Sequence, residues 1–281
     1  MKLKGTNYIT SALCLLALSG GETQAGTMGP AQVTGTEKVY FGIFGGGGSS
    51  EQVRINQSGS IFFVEATGGP LAVNTFGHTN SRDVGLVGGQ LGYQWLDISL
   101  NSLNHQINLT PAVELEGYYV GKSSFNSYSV NSDTTRIIEQ DFFVSYPMST
   151  GVFLANTVLN FNSASYARWR PYVGAGIGAA VLSISNADSL QLSPVEPNIN
   201  HYNGNPNVKG SAFAAQTKVG LNFALSEHVS LFAEYRWLYI ASTNFTFGST
   251  VSPEHAPTSG WNVNFGPQRY NMGSGGIRFT V

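Results

Sequence analysis

Glu114, Glu116 and Glu234 stand inside segments that otherwise alternate apolar with polar or small residues, and so do Lys218, Arg236 and Arg278. Their neighbours one step away are mostly apolar. Val113 and Leu115 bracket Glu114, Val219 follows Lys218, Tyr235 separates Glu234 from Arg236, and Ile277 and Phe279 bracket Arg278. Side chains of a strand alternate between its two faces, so all six charges are predicted on polar faces. If one closed sheet carries them, three carboxylates meet three cations in its interior. Two chemistries are then open. The charges can pair into a plug that braces the sheet from within, because a buried charge must be paired or hydrated. Pairs that exchange partners can instead gate a narrow pore.

The other chemistry-bearing residues form weaker sets. His78, His105, His201, His228 and His255 have no close metal-ligand spacing and fall in connections, where solvated imidazole is the expectation. Ser226, Glu227 and His228 share a tight turn and make no Ser-His-acid arrangement. The glycines at 45–48 are followed by neither Gly-Lys-Ser/Thr nor a helical pattern, so they read as a flexible strand end rather than a phosphate loop. Gly174, Gly176 and Gly178 share a face and leave room for larger side chains opposite. No catalytic residue, cofactor site or metal ligand is expected, and the chain reads as a non-enzyme.

Eight alternating segments must position the six charges: residues 38–46, 84–96, 109–121, 152–161, 170–182, 213–225, 229–240 and 269–281. In the seventh, Val229, Leu231, Ala233, Tyr235, Trp237 and Tyr239 share one face, while Ser230, Glu234 and Arg236 share the other. In the first, Val39, Phe41 and Ile43 point outward. Residues 60–65 and 137–146 also look extended. Pairing both in gives a ten-stranded alternative. The second is otherwise an extension of the fourth strand, with a break at Pro147.

The connections alternate long and short. Those at 47–83, 122–151, 183–212 and 241–268 are long, and those at 97–108, 162–169 and 226–228 are shorter. Long external loops and short periplasmic turns are the pattern of an outer-membrane barrel. On this topology both termini are periplasmic. Tyr93 and Trp95 then mark one membrane interface, and Tyr235, Trp237 and Tyr239 run toward the other. The long connections carry aromatics: Phe62 and Phe63, Phe125 and Tyr128, Phe245 and Phe247. These either pack the loops on one another or form binding surface.

Composition agrees. Only 11% of the 281 residues are charged, against roughly 25% in ordinary soluble domains. The net charge of -2 gives no reason to expect nucleic acid as a partner. Glycine (34 residues) and aromatics (12%) at a mean hydropathy of -0.04 suit strands better than membrane helices. Residues 1–25 read as a signal peptide: Lys2 and Lys4, a short apolar run, then Thr23-Gln24-Ala25 before the cut. The single cysteine, Cys14, lies inside it. Residues 26–37 read as a periplasmic linker, and residues 38–281 as the barrel. With no helical span available, a membrane location requires a closed sheet.

Four segments carry a resemblance: VYFGIFGGGG (39–48), RPYVGAGIGAA (170–180), SLFAEYRWLYI (230–240) and MGSGGIRFTV (272–281). They resemble the small eight-stranded outer-membrane barrels, the OmpA-transmembrane-like and opacity-type proteins and related bacterial surface-antigen barrels. The resemblance implies an all-β, antiparallel, up-and-down transmembrane barrel with long extracellular loops. It implies outer-membrane lipid and lipopolysaccharide as surroundings, and recognition of the last strand by the barrel-assembly machinery. Chains of that family usually end in an aromatic. This one ends in Val281, with Phe279 two residues before it on the same face. The expected role is that of a surface protein whose loops mediate adhesion or antigenic display toward host or surface molecules. The alternatives are a small non-specific porin with a charge-gated lumen and a lipid-modifying enzyme.

Overall fold

Alternation of β-branched and aromatic residues with glycine and polar residues forms strands along most of the chain. The computed structural model describes residues 33–34, 37–102, 105–131, 138–163 and 168–281. The expected signal peptide at 1–25, most of the expected linker at 26–37 and Ile137 lie outside the described residues. Fifteen strands occur among the described residues. They are β1 (Val33–Thr34), β2 (Lys38–Ser50), β3 (Arg54–Phe62), β4 (Pro70–Thr79) and β5 (Arg82–Gln94). Next come β6 (Asp97–Ser102), β7 (His105–Asn131), β8 (Gln140–Ser163), β9 (Trp169–Ile184) and β10 (Asp188–Ser193). The last are β11 (Val208–Ala224), β12 (Val229–Ile240), β13 (Thr243–Phe247), β14 (Trp261–Phe265) and β15 (Gln268–Thr280).

Eight of these close a ring in the order β2, β5, β7, β8, β9, β11, β12, β15 and back to β2, each pair antiparallel. Each stave falls on one of the eight predicted segments, three of which (84–96, 213–225 and 269–281) overrun the stave by one or two residues. The closing pair runs from Tyr270 opposite Ser50 to Thr280 opposite Tyr40. Backbone bonds between Val39 and Val281 tie the first and last staves at the terminal end. Closure leaves no unpaired stave edge in the ring, the one way a sheet can sit in lipid. Its outer wall is apolar: Ile43 is 65% exposed, Leu115 64%, and Phe41, Val87, Phe153 and Ile177 are exposed beside them.

The long connections depart from the loop expectation. They form a second tier of sheet above the ring. Within 47–83, β3 and β4 make a hairpin, and β4 continues onto β7. β7 and β8 remain paired as far as Asn131 opposite Gln140. β10 lies on β8, while β13 pairs with β14 and β14 with β3. At β13 and β14 the wall's polarity is reversed, while Phe62, Phe76 and Tyr128 remain exposed elsewhere in the tier. Asn244, Thr246 and Asn262 face outward, while Phe245, Phe247, Trp261, Val263 and Phe265 are buried inside.

The tier settles the strand count. Residues 60–62 end β3 and residues 140–146 are the upper part of β8, so neither adds a stave. β8 also runs through Pro147 without the expected break. The register shift lies in β7 instead, between Val120 and Ser123, and Pro147 O still accepts from Ser185 N at 3.1 Å. At the opposite end β6 folds back on β7. Val33 and Thr34, from the expected linker, pair with Ile98 and Asp97.

Candidate functional site

The period of two puts all six charges on the buried face of the ring. Glu114 and Glu116 come from β7, Lys218 from β11, Glu234 and Arg236 from β12, and Arg278 from β15. Five of the side chains are wholly buried and Arg278 is 6% exposed. They form one connected network. Lys218 Nζ pairs with Glu114, and lies 3.6 Å from Glu116 and 3.8 Å from Glu234. Arg236 pairs with Glu116 through one terminal nitrogen and with Glu234 through the other. Arg236 Nε also donates to Glu234 at 2.9 Å and to Ser274 Oγ at 3.1 Å. Arg278 Nη2 lies 3.6 Å from Glu114. With its amide oxygen turned inward, Gln90 accepts from Arg278 Nη2 and Nε at 2.8 and 3.1 Å.

Polar and aromatic neighbours complete the network. Tyr40 donates to Glu114 at 3.0 Å, Tyr172 to Glu234 at 2.8 Å, and Asn156 Nδ2 to Glu116 at 2.9 Å. The Arg236 guanidinium lies 4.1 Å from the Phe44 ring centroid, and that of Arg278 lies 4.3 Å from that of Tyr40. Such contacts offset part of the desolvation of a buried cation. An eight-stranded ring has an interior just wide enough for side chains to fill, and here a charge-balanced set fills it. Sequence reasoning missed the aromatic share of this interior. The signal was present, since Tyr40 and Phe44 alternate with the outward Val39, Phe41 and Ile43.

The glycine row behaves as packing. A Cβ at Gly176 would overlap the Asn156 amide, and one at Gly174 would meet the Lys218 stem. The aromatics assigned to interfaces lie on the outer wall. Tyr93 and Trp95 meet edge to face at 5.5 Å, and Trp237 and Tyr239 stack at 6.3 Å. Tyr235 is exposed and donates to Asn271 Oδ1 at 2.6 Å. Tyr93 pairs opposite Val39 near the terminal end, whereas Tyr239 pairs opposite Arg269 near the second tier. Of the aromatics in the long connections, Phe125, Phe245 and Phe247 are buried, Phe63 packs on the same core, and Phe62 and Tyr128 are exposed.

The expectation of solvated imidazole fails at two histidines, His201 and His255. His78 and His228 are exposed, but His201 is buried in the second tier, where it meets His255 and Glu196. The spacing gave no sign of this cluster because its members come from two different connections.

Ring and interior together define a class: a small closed β-barrel with an apolar outer wall and a charged, filled lumen. No family model and no curated protein matches the sequence. Among solved structures the chain is similar to the outer membrane protein OprG from Pseudomonas aeruginosa. Identity is 15% with a TM-score of 0.36, over 85% of this chain and 95% of that one. It is also similar to Neisserial surface protein A, at 14% identity and a TM-score of 0.28, over 83% and 98% of the two chains. The outer membrane protease OmpT from Escherichia coli shows 8% identity and a TM-score of 0.34, over 85% and 97%. The assignment of the fold rests on the strand pairings above.

Proposed function

We propose that this chain is a bacterial outer-membrane surface barrel with a closed lumen, serving a structural or interaction role through its second tier. The observation that carries the reading is the reversal of wall polarity between the ring and the β13–β14 face of the tier above it. The ring presents Phe41, Ile43, Leu115 and Ile177 outward, whereas the tier above presents Asn244, Thr246 and Asn262. A sheet bathed throughout in water has no use for the first pattern, which would be one continuous apolar patch. Lipid around the ring and water around the tier accounts for both. The signal peptide read at residues 1–25 fits export from the cytoplasm.

The filled lumen favours a surface protein over a porin. Conduction requires a path, and here the charges are paired and packed among Tyr40, Phe44 and Tyr172. The outer tier then serves as a folded platform for adhesion or antigenic display, with lipopolysaccharide around the ring. The barrel-assembly machinery would engage β15.

Planar-bilayer recording of purified, folded protein tests the reading. The expected result is no reproducible unitary conductance. Regular unitary steps lost on substitution of Arg236 would establish the porin instead. Fractionation of the cell envelope tests the location, with boiled and unboiled samples compared on a gel. A heat-dependent mobility shift in the outer-membrane fraction is expected, and recovery from the soluble periplasm would reject the proposal.

A further inference from the structure

Glu196, His201 and His255 converge on one point in the second tier, although they come from two separate connections. Glu196 and His201 lie between β10 and β11, and His255 between β13 and β14. Glu196 Oε2 is 3.3 Å from His201 Nε2 and 3.8 Å from His255 Nε2. The three ligand atoms all lie within 4.8 Å of one another.

The orientation of both rings is fixed by the backbone. His201 Nδ1 lies 2.9 Å from Ser189 O, and His255 Nδ1 lies 2.6 Å from Ala256 O. A carbonyl only accepts, so in the neutral rings the proton sits on Nδ1. Each Nε2 is then a bare lone pair directed at a carboxylate, which is also only an acceptor. Neither His201 Nε2 nor Glu196 Oε2 has a hydrogen-bond partner. The His201 side chain is 3% exposed and that of His255 is 9% exposed, whereas Glu196 is 31% exposed, so the two rings are the members held away from bulk solvent. Three converging acceptors without a donor call for a cation.

We propose that Glu196, His201 and His255 form a binding site for a divalent transition metal of the Zn2+ class, which staples the two connections together. Two imidazole nitrogens and one carboxylate oxygen are donors that Zn2+ accepts. Bonds of about 2.0–2.1 Å in a tetrahedron place ligand atoms roughly 3.3 Å apart. The Glu196–His201 pair already stands at that separation, the Glu196–His255 pair needs to close by about 0.5 Å, and the remaining pair by at most about 1.5 Å. Anchoring the far ring nitrogen on a backbone carbonyl is the outer-shell arrangement usual for metal-bound histidine. The three residues also line a cavity of about 200 Å³, shared with Gln140, Gln191 and Glu254, which has room for a water as fourth ligand.

The test is Zn2+ binding by the full-length protein, folded in detergent and first stripped with a chelator. Equilibrium dialysis with elemental analysis should give one equivalent per chain. His201→Ala, His255→Ala and Glu196→Gln should each weaken it at least about 100-fold, the upper end of what loss of an outer-shell partner alone costs. His78→Ala and His228→Ala, at exposed histidines, should leave it unchanged. Co2+ should show the intense absorption of a tetrahedral site in the parent and not in the variants. The heat-dependent gel shift confirms that each variant barrel is folded. No bound equivalent in the parent, or retention of it in a folded His201→Ala/His255→Ala double variant, would overturn the proposal.

Discussion

Lys218 fills the space that Gly174 leaves. The two are direct cross-strand partners on β11 and β9, and a Cβ at Gly174 would lie 3.1 Å from Lys218 Cγ and 3.3 Å from Cε. Draped over the glycine, the lysine crosses the lumen to Glu114 on β7. Gly174→Val should push the lysine off this path and leave Glu114 short of a partner. A buried charge stripped of its partner costs about 3–5 kcal/mol. Gly85→Ala is the control, because a Cβ there meets nothing nearer than 3.9 Å. Urea unfolding in lipid vesicles should show a large drop in midpoint for the first variant and little change for the second. Equal midpoints would show that the lysine does not depend on the glycine.

Arg236 holds two carboxylates, Glu116 and Glu234, from its two terminal nitrogens. Arg236→Met leaves three carboxylates facing two cations and should destabilise the barrel by about 3–5 kcal/mol. Adding Glu116→Gln restores the balance of charge and should recover part of that loss. A double-mutant cycle measures the recovery. Strict additivity of the two single effects would mean that the pair is not coupled.

The eight staves were legible because both determinants of a lipid-facing strand are written locally: a period of two and an apolar outer face. Residues 229–240 have the same bounds in sequence and structure. The faces of the six charges were legible for the same reason, but their partners were not. Lys218 and Glu114 meet across the lumen from positions 104 residues apart, and alternation carries no information about which staves face each other. The second tier was hidden at β13 by its reversed polarity. Asn244, Phe245, Thr246 and Phe247 look like a polar loop by composition until the apolar residues are seen to point inward. The cluster of Glu196, His201 and His255 depends on that tier's folding and could not be read before it.

Leu115 lies between two lumen carboxylates yet faces out of the ring. Leu115→Arg should cost about 2–4 kcal/mol in vesicles, the penalty for a cation at the bilayer midplane. Phe62 is also exposed, but on the outer tier. Phe62→Arg should change stability by no more than about 0.5 kcal/mol. Unfolding of both variants in the same vesicles compares them, and similar costs would mean that lipid does not distinguish the tiers.

Phe247 is central to the core of the outer tier. It stacks on Tyr202 with centroids 4.5 Å apart and lies 5.8 Å from Tyr146. Phe247→Ala should cost about 3–5 kcal/mol, as a large cavity does in a core that relaxes little. Loss concentrated in the tier should appear as faster proteolysis of the segments around β13 and β14, with the heat-dependent mobility of the barrel retained. Loss of the mobility shift together with the tier would show that the two fold as one unit.

Tyr146 and Tyr202 share a 2.7 Å hydrogen bond in the same core, and neither is exposed. Burial raises both phenols above the ordinary value of 10.0. In the unfolded chain they ionise near pH 10, whereas in the folded tier they stay neutral to higher pH. The unfolded state therefore gives up protons first. Stability should be level below about pH 10 and fall as the pH rises above it toward the folded values. Proteolysis of the outer tier should accelerate over that range, and less steeply in Tyr202→Phe, which keeps only one of the two phenols. Tyrosinate absorbance from both residues near pH 10 in protein with an intact tier would contradict their burial.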